Sequence, residues 1–422
     1  MNSSVRPIIV GRDEDDLKKF GDEGLAHLGK HYVRTGDKVN LANKLLLDLA
    51  RPHVILVSGK RGQGKSYTLG VIAEEIIFLP RRLREKLTVV IFDTMGIYWT
   101  MRYPNARQEG LLKEWGLKPT SIPTRVLVPR GWLDKYKESG VPADGVLAVH
   151  PLDLSVEDWM DSFGLDLFSP VGVLLERVLR HRPSSIDQMV KMAEADTRAP
   201  ESVRDALVNR LRAAESWGVF SEKGTRVSEL LTPGTVNVLD LSMLGTRVKS
   251  LLIGLLGRKI FEARAVARKG EERADITRHV DIGREVAVKV PMPWILIDEA
   301  HEYLPPKVET PSARALIQLI REGRQPGITL VLATQQPGKI HSDVFTQADI
   351  VISHRVTAEL DIGALNSIMG TYMQFPLEKY ISSLPRFKGA AVVLDDNAEK
   401  IYQMRVRPRV SWHGGESATI IK

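Results

Sequence analysis

The run GKRGQGKS at residues 59–66 restricts the fold of this chain more than any other feature, because it has the spacing of a phosphate-binding loop. It follows directly on the apolar segment HVILVS at residues 53–58. In such a loop the glycines let successive backbone N–H groups turn toward an anion, and the helix that follows adds the positive end of its dipole. The sequence therefore predicts a strand, a phosphate-binding loop and a helix in direct succession.

Two side chains of the loop have specific predicted tasks. Lys65 is expected to reach the outer phosphates of a nucleotide, and Ser66 offers a hydroxyl to Mg²⁺. ATP and Mg²⁺ are therefore the predicted ligands of this site. The predicted nucleotide contacts are Gly59, Arg61, Gly62, Gln63, Gly64, Lys65, Ser66 and Tyr67.

A second motif lies far downstream, where the apolar residues 294–297 end in Asp298 and Glu299. A buried strand here would bring Asp298 to the Mg²⁺ shell beside the loop. Glu299 would then polarise a water molecule for attack on the γ-phosphoryl group. Strands often end in solvated carboxylates, so the acidic pair indicates a catalytic site only in combination with the loop.

Strands alternate with helices along much of the chain, which predicts an α/β fold with a mainly parallel, doubly wound sheet. One predicted strand, at residues 88–93, ends in Asp93, which could touch the nucleotide site or simply cap the following turn. The polar and charged residues 269–284 are expected to form an exposed or mobile loop. Two short strands, at residues 390–394 and 401–406, are predicted near the end of the chain.

Composition narrows the class of protein. The absence of cysteine excludes disulfides and thiolate metal sites, and the ten histidines lack the spacing of zinc ligands. The start of the chain has no signal-peptide pattern and no long uncharged apolar stretch follows, so we expect a cytoplasmic protein without a membrane partner. A net charge of +7 favours polyanionic partners, although a basic surface without special purpose is the alternative.

Three further motifs give the chain a family resemblance. They are DEAHEYLP at residues 298–305, REGR at residues 321–324 and ATQQP at residues 333–337. In this order they resemble the HerA branch of the HerA/FtsK DNA-translocating ATPases. The tail at residues 405–415 resembles the end of that branch, so the resemblance spans about residues 28–415.

The resemblance implies a RecA-like motor that assembles as a homo-hexameric ring around double-stranded DNA, and archaeal members work with a nuclease partner. It also implies that Gln335 senses the γ-phosphate and that Arg324 or Arg321 projects into the neighbouring subunit's site. We choose Arg324, whose spacing from Glu299 is closer to the family pattern. A solvated helix end is the alternative interpretation of both arginines.

Two departures from the family pattern matter. The family's N-terminal β-barrel needs many more residues than the first 50 supply, which puts the nuclease partnership in doubt, and Gln336 stands where arginine is usual. The expected division of the chain is a short N-terminal segment that is a partial barrel remnant, a first part of the RecA-like core, a helical insertion, a second part of the core, and a C-terminal strand pair with a tail. These segments are residues 1–50, 51–130, 131–225, 226–385 and 386–422.

The predicted function is that of a Mg²⁺-dependent ATPase acting as a ring-shaped DNA translocase or helicase in DNA processing or repair, and Lys307 is a candidate DNA contact. A nucleotide-dependent assembly or switch ATPase of a defence or nuclease complex, without translocation, is the alternative. The string DEAH at residues 298–301 also occurs in two-domain helicases, but too few residues follow for a second motor domain. We expect His301 to pack beside the site rather than catalyse. A conjugative coupling or packaging motor is a further alternative.

Overall fold

A computed structural model describes residues 6–35, 38–279, 289–368 and 377–416 of the chain. The strands in this part of the chain are β1 (Ile8–Val10), β2 (Leu25–Thr35), β3 (Lys38–Asp48), β4 (Val54–Ser58), β5 (Leu87–Asp93), β6 (Thr124–Pro129), β7 (Gly145–Leu147), β8 (Val236–Asp240), β9 (Met292–Ile297), β10 (Thr329–Thr334), β11 (Ile350–His354), β12 (Ala390–Asp395) and β13 (Lys400–Val406).

The α-helices of the same described ranges are α1 (Glu14–Phe20), α2 (Lys65–Phe78), α3 (Arg81–Arg84), α4 (Glu109–Glu114), α5 (Leu133–Glu138), α6 (Val156–Phe163), α7 (Pro170–Arg180), α8 (Ile186–Ala195), α9 (Glu201–Glu215), α10 (Val227–Leu230), α11 (Thr246–His279), α12 (Pro311–Glu322), α13 (Ser342–Gln347), α14 (Glu359–Ile368) and α15 (Leu377–Ser382). Short 3₁₀ helices lie at Tyr98–Arg102, Ala106–Gln108, Arg130–Trp132, Pro151–Asp153, Ala300–Glu302 and Pro337–Lys339.

All of these strands join one sheet in the order β1-β3-β2-β13-β12-β11-β4-β10-β9-β5-β8-β6-β7. From β11 to β7 every neighbouring pair is parallel. The strands from β11 back to β3 are antiparallel, and β1 pairs in parallel with β3. The predicted α/β class with a mainly parallel sheet is confirmed.

Helices cover both faces of the parallel part. Leu69, Ile72 and Ile76 of α2 pack on one face, and Leu251 and Leu316, from α11 and α12, belong to the core on the other. Strands that are covered on both sides have no solvent-exposed face, which is why β5, β8, β10 and β11 are buried at every residue. The predicted double winding follows from these two cores.

The helices α6 to α10 lie between β7 and β8 and form a helical insertion with its own apolar packing. Trp159 is fully buried there, and its ring stacks on that of Phe220 with centroids 5.2 Å apart. Apolar side chains recur along α9, where Leu207 and Leu211 are fully buried. The insertion is therefore held by side-chain packing of its helices.

Two parts of the chain differ from or extend the sequence-based expectations. The residues expected to form an exposed loop instead continue α11 as a helix to His279. That expectation is therefore wrong for residues 269–279, and residues 280–284 lie outside the described residues.

Near the start of the chain, β2 and β3 form an antiparallel hairpin that joins the sheet through β13. Its assignment as a barrel remnant, like the five-part division of the chain, stays a prediction. Within the described ranges, no helix has the length and apolar character needed to cross a bilayer.

Candidate nucleotide-binding site

The phosphate-binding loop connects β4 to α2 at the edge where the parallel strands end. Gly59, Gly62 and Gly64 have φ angles of 154°, 77° and 115°. These angles are rarely adopted by residues with a Cβ, so the loop needs glycine at all three positions. The resulting turn leads into the N-terminus of α2, where backbone N–H groups lack helical partners and can bind an anion.

His354, at the end of β11, packs directly against the phosphate-binding loop. A Cβ on Gly59 would lie 2.7 Å from the His354 Cβ. The ring is fully buried, its Nδ1 donates to the Ala390 carbonyl at 3.1 Å, and its Nε2 lies 2.9 Å from the Thr68 hydroxyl. Burial lowers the pKa of His354 to about 4, which keeps the ring neutral. The sequence analysis missed this residue; its only signal was a polar side chain ending a buried strand.

Lys65 is buried at the start of α2. Its Nζ donates to the Lys60 carbonyl oxygen at 3.3 Å, inside the loop. Burial lowers the pKa of Lys65, while the carboxylates of Glu299 and Asp298 act in the opposite direction. The ammonium is thus held at the loop with two carboxylates nearby.

The acidic pair follows β9, which lies two strands from β4. Asp298 is almost fully buried; its Oδ1 accepts from the backbone N–H of Glu299 at 2.9 Å, and its Oδ2 lies 3.2 Å from the Tyr98 hydroxyl. That hydroxyl is also 3.3 Å from the Ser66 carbonyl oxygen. Tyr98 therefore connects the two residues predicted to hold Mg²⁺, a role that the sequence analysis did not anticipate.

Glu299 has a strained backbone, with φ 52° and ψ 42° in the left-handed region. Its Oε1 accepts a hydrogen bond from Gln335 Nε2. Its Oε2 is buried, has no hydrogen bond to any residue that the structure describes, and lies 3.6 Å from His301 Nδ1. Burial raises the pKa of Glu299. A buried acceptor without a donor is an expected feature where a reacting water molecule would bind.

The sheet order explains how these residues meet. Because β10 lies between β4 and β9, Gln335 at its end stands between the phosphate-binding loop and the acidic pair. His301 lies beside it, with Nδ1 3.2 Å from the Thr334 hydroxyl. The structure thus brings Lys65, Asp298, Glu299 and Gln335 to one edge of the sheet; their catalytic roles stay predictions.

Asp93 caps the turn after β5. Its carboxylate accepts from the backbone N–H groups of Met95, Gly96 and Tyr98 at 3.2, 2.8 and 2.8 Å. Burial, together with the neighbouring Asp240, raises the pKa of Asp93 to about 7. Of the two interpretations left open, turn capping describes the contacts, and the same turn places Tyr98 at the site.

The C-terminal segment, defined as residues 407–416, crosses α2. Glu74 of α2 accepts from Arg407 Nη1 at 2.8 Å and from the backbone N–H of Ser411 at 2.9 Å, and all three residues are fully buried. Tyr67 is turned toward the same segment, since its hydroxyl accepts from the Arg409 backbone N–H at 2.6 Å. The Tyr67 side chain therefore contacts the C-terminal segment, and its backbone N–H is the group that faces the phosphate-binding loop.

The remaining predicted residues lie on the surface. Arg61 and Lys307 are exposed, and Gln63 is half-buried with its carbonyl oxygen accepting from the Gly389 N–H at 3.4 Å. Arg321 is held by Asp343, with Nε 2.5 Å from Oδ2. Arg324 is exposed and has no side-chain hydrogen bond or ion pair within the described ranges.

Comparison with known families identifies two matching regions. The family model described as Helicase HerA, central domain, matches residues 27–260, which is more than half of the chain. A second model, Zonular occludens toxin (Zot), matches residues 259–373.

Two similar curated proteins are helicases by name. The DNA double-strand break repair helicase HerA of Pyrococcus furiosus is 23% identical over 83% of this chain and 64% of its own length. The probable helicase MJECL08 of Methanocaldococcus jannaschii is 22% identical over 86% of this chain and 68% of its own length. The present chain thus spans slightly less than two thirds of the Pyrococcus protein.

Among solved structures, VirB4 of Thermoanaerobacter pseudethanolicus is similar over 91% of this chain and 96% of its own, with a TM-score of 0.54 and 12% identity. That likeness concerns the fold alone and agrees with the predicted α/β class.

Proposed function

The chain belongs to the family of the HerA central domain. We propose that it is a P-loop ATPase that hydrolyses ATP with Mg²⁺ to drive double-stranded DNA through a homo-hexameric ring. The name of the Pyrococcus relative supports a role in DNA processing or repair. The proposal includes the cytoplasmic location expected from the sequence. A nuclease partner is implied by the family resemblance, and the short N-terminal segment puts that partnership in doubt.

The Glu299 carboxylate carries the hydrolysis part of the proposal. Gln335 orients it through Oε1, and the unpaired Oε2 is free to accept a hydrogen bond from water. As the water oxygen bonds to the γ-phosphorus, Glu299 takes up the proton, and the bond from phosphorus to the β–γ bridging oxygen breaks, releasing ADP and phosphate. The raised pKa of Glu299 suits a proton acceptor.

Ser66 and Asp298 fit a Mg²⁺ ion, because a hydroxyl and a carboxylate are hard oxygen ligands. When bound, the ion neutralises charge on the β- and γ-phosphates. The Tyr98 hydroxyl holds Asp298 Oδ2 and contacts the backbone of Ser66. Tyr98 therefore orients the two ligands relative to each other.

Arg324 supports a site shared between subunits. It follows α12 and precedes β10, whereas the phosphate-binding loop lies where β4 ends, so Arg324 stands near the opposite edge of the sheet from its own loop. Arg321 is the less suitable candidate, because Asp343 already binds it. An exposed guanidinium in this position could act only on a neighbour's nucleotide.

The test is ATP turnover with and without duplex DNA at two salt concentrations. We expect DNA to stimulate turnover and salt to weaken the stimulation, because phosphate contacts release counterions. Turnover that DNA does not change would instead favour the assembly or switch ATPase.

Two variants test the chemistry. Lys65→Ala should lose nucleotide binding, because a charge-assisted phosphate contact is removed. Glu299→Gln should bind ATP and lose turnover by about 10² to 10⁴-fold. The matched control is Glu309→Gln, which makes the same change at an exposed glutamate in the loop before α12. Normal turnover in Glu299→Gln would exclude Glu299 as the water activator.

Electron-microscopy images of the protein with a non-hydrolysed ATP analogue and duplex DNA test the proposed ring.

A further inference from the structure

The orientation of the triphosphate follows from the residues around the loop. Lys65, Glu299 and Gln335 mark where the γ-phosphoryl group would lie. The α-phosphate would lie at the backbone N–H groups that open α2, and the nucleoside would continue beyond them. The C-terminal segment, residues 407–416, crosses α2 next to this first turn, at Tyr67.

Several contacts fix the C-terminal segment there. The Tyr67 and His413 rings meet edge to face with centroids 5.3 Å apart. A Cβ on Gly70 would lie 2.6 Å from the Arg409 guanidinium, so this arginine packs directly on the backbone of α2. The Trp412 backbone N–H donates to the Tyr103 carbonyl at 2.8 Å. The segment is therefore part of the packed structure beside the loop.

These contacts also decide which nitrogen of His413 carries hydrogen. Arg409 Nη1, which can only donate, lies 3.2 Å from His413 Nδ1, so Nδ1 is the acceptor and the neutral ring carries its hydrogen on Nε2. Burial and the Arg409 charge lower the pKa of His413 to about 3, which keeps the ring neutral at working pH. Nε2 makes no hydrogen bond within the described ranges, so it is an available donor.

Two glycines bring the backbone close to this donor. A Cβ on Gly415 would lie 2.8 Å from His413 Nε2 and 3.4 Å from the Ile97 side chain. A Cβ on Gly414 would lie 2.9 Å from Thr100 Cγ2. The distances of 2.8 and 2.9 Å are shorter than real Cβ contacts, so glycine at these positions lets the backbone lie directly against the imidazole and Thr100, beside the half-buried Ile97.

We propose that residues 412–415, with Ile97, form the nucleoside subsite of the ATP site, in which His413 Nε2 donates a hydrogen bond to an acceptor of the base or ribose. Ile97 supplies an apolar surface for the base. The inference rests on the proposed ATPase function and adds to it that the end of the chain distinguishes a nucleotide from a bare polyphosphate.

Calorimetric titration of the full chain with the Mg²⁺ complexes of ATP, dATP and tripolyphosphate tests the subsite. Since one neutral hydrogen bond contributes about 1 kcal/mol, His413→Leu should weaken ATP binding by roughly 5- to 10-fold. Tripolyphosphate affinity should stay within about twofold, because the lost contact does not involve phosphate. A smaller loss with dATP than with ATP assigns the acceptor to the ribose 2′ position, and an equal loss assigns it to the base or another ribose oxygen.

Two further variants separate contact from folding. Gly415→Ala crowds Nε2 while keeping the bond between Arg409 and His413, so it should weaken ATP and spare tripolyphosphate. His413→Gln keeps a donor and should recover most of the affinity. His181→Leu, which removes an exposed imidazole of the helical insertion, should bind both ligands normally.

Equal weakening of ATP and tripolyphosphate by both His413→Leu and Gly415→Ala, or no weakening of ATP by either, would overturn the subsite and leave the ATPase proposal intact. Wild-type protein that binds neither ligand would overturn the ATPase proposal itself.

Discussion

Replacing Glu74 by alanine should release the C-terminal segment from α2. The Glu74 carboxylate accepts from Arg407 Nη1 at 2.8 Å and from the Ser411 N–H and hydroxyl at 2.9 and 2.6 Å. Arg409 Nε lies 3.5 Å away, and Glu74, Arg407, Arg409 and Ser411 are all fully buried. The substitution would leave two buried guanidinium groups without this partner.

The expected magnitude follows from this burial. Removing one partner of a buried ion pair costs about 3–5 kcal/mol, because the remaining charge stays desolvated. Arg407 keeps Glu75, whose Oε1 lies 2.7 Å from Nε, so we take the lower end, about 3 kcal/mol. The exposed pair Arg81–Glu85 is the matched control, and Glu85→Ala should leave stability close to that of the wild type, because solvent already screens this pair.

Hydrogen exchange of residues 405–416, measured together with thermal unfolding, is the assay. A local loss of 3 kcal/mol should speed exchange by on the order of 100-fold. Glu74→Ala should also weaken ATP binding, since His413 is in the same segment. If exchange and unfolding in Glu74→Ala match those of Glu85→Ala, the argument that this ion cluster holds the segment on α2 is wrong.

Three other outcomes follow from the site. Arg324→Ala should bind ATP but lose roughly 10³- to 10⁵-fold in turnover, and mixing it with Lys65→Ala should restore part of the activity at mixed interfaces; an inactive mixture that demonstrably co-assembles would rule out a shared site. His354→Gln should make the free energy of unfolding less sensitive to acid. The unfolded ring binds a proton near pH 6.5 and the folded ring only near 4, so the wild type loses stability as pH falls through this window. Identical curves of stability against pH for the two proteins would contradict the buried neutral ring. Lys307→Ala should weaken DNA binding equally on all sequences and lower the salt slope by about one phosphate contact, whereas an unchanged slope would place Lys307 on an ordinary surface.

The sequence alone predicted the parts of the site that depend on local spacing. Three glycines followed by Lys65 and Ser66 can form few turns other than a phosphate-binding loop, and an apolar run ending in Asp298 and Glu299 indicates a strand that delivers acids to a sheet edge. The alternation of predicted strands and helices along the chain was sufficient to predict the α/β class. Polarity was less informative: the polar and charged residues 269–279 were expected to be a loop, yet they continue α11.

Only the tertiary structure showed which distant residues complete the site. His354, Tyr98 and His413 reach the loop or its helix from three different parts of the chain, and each is brought there by strand order or by the crossing of the C-terminal segment. No local pattern marks such residues, because their function depends on burial and on which neighbours desolvate or pair with them. Local spacing specifies backbone turns and strand ends, whereas the partners of a buried polar group are set by packing between segments far apart in the chain.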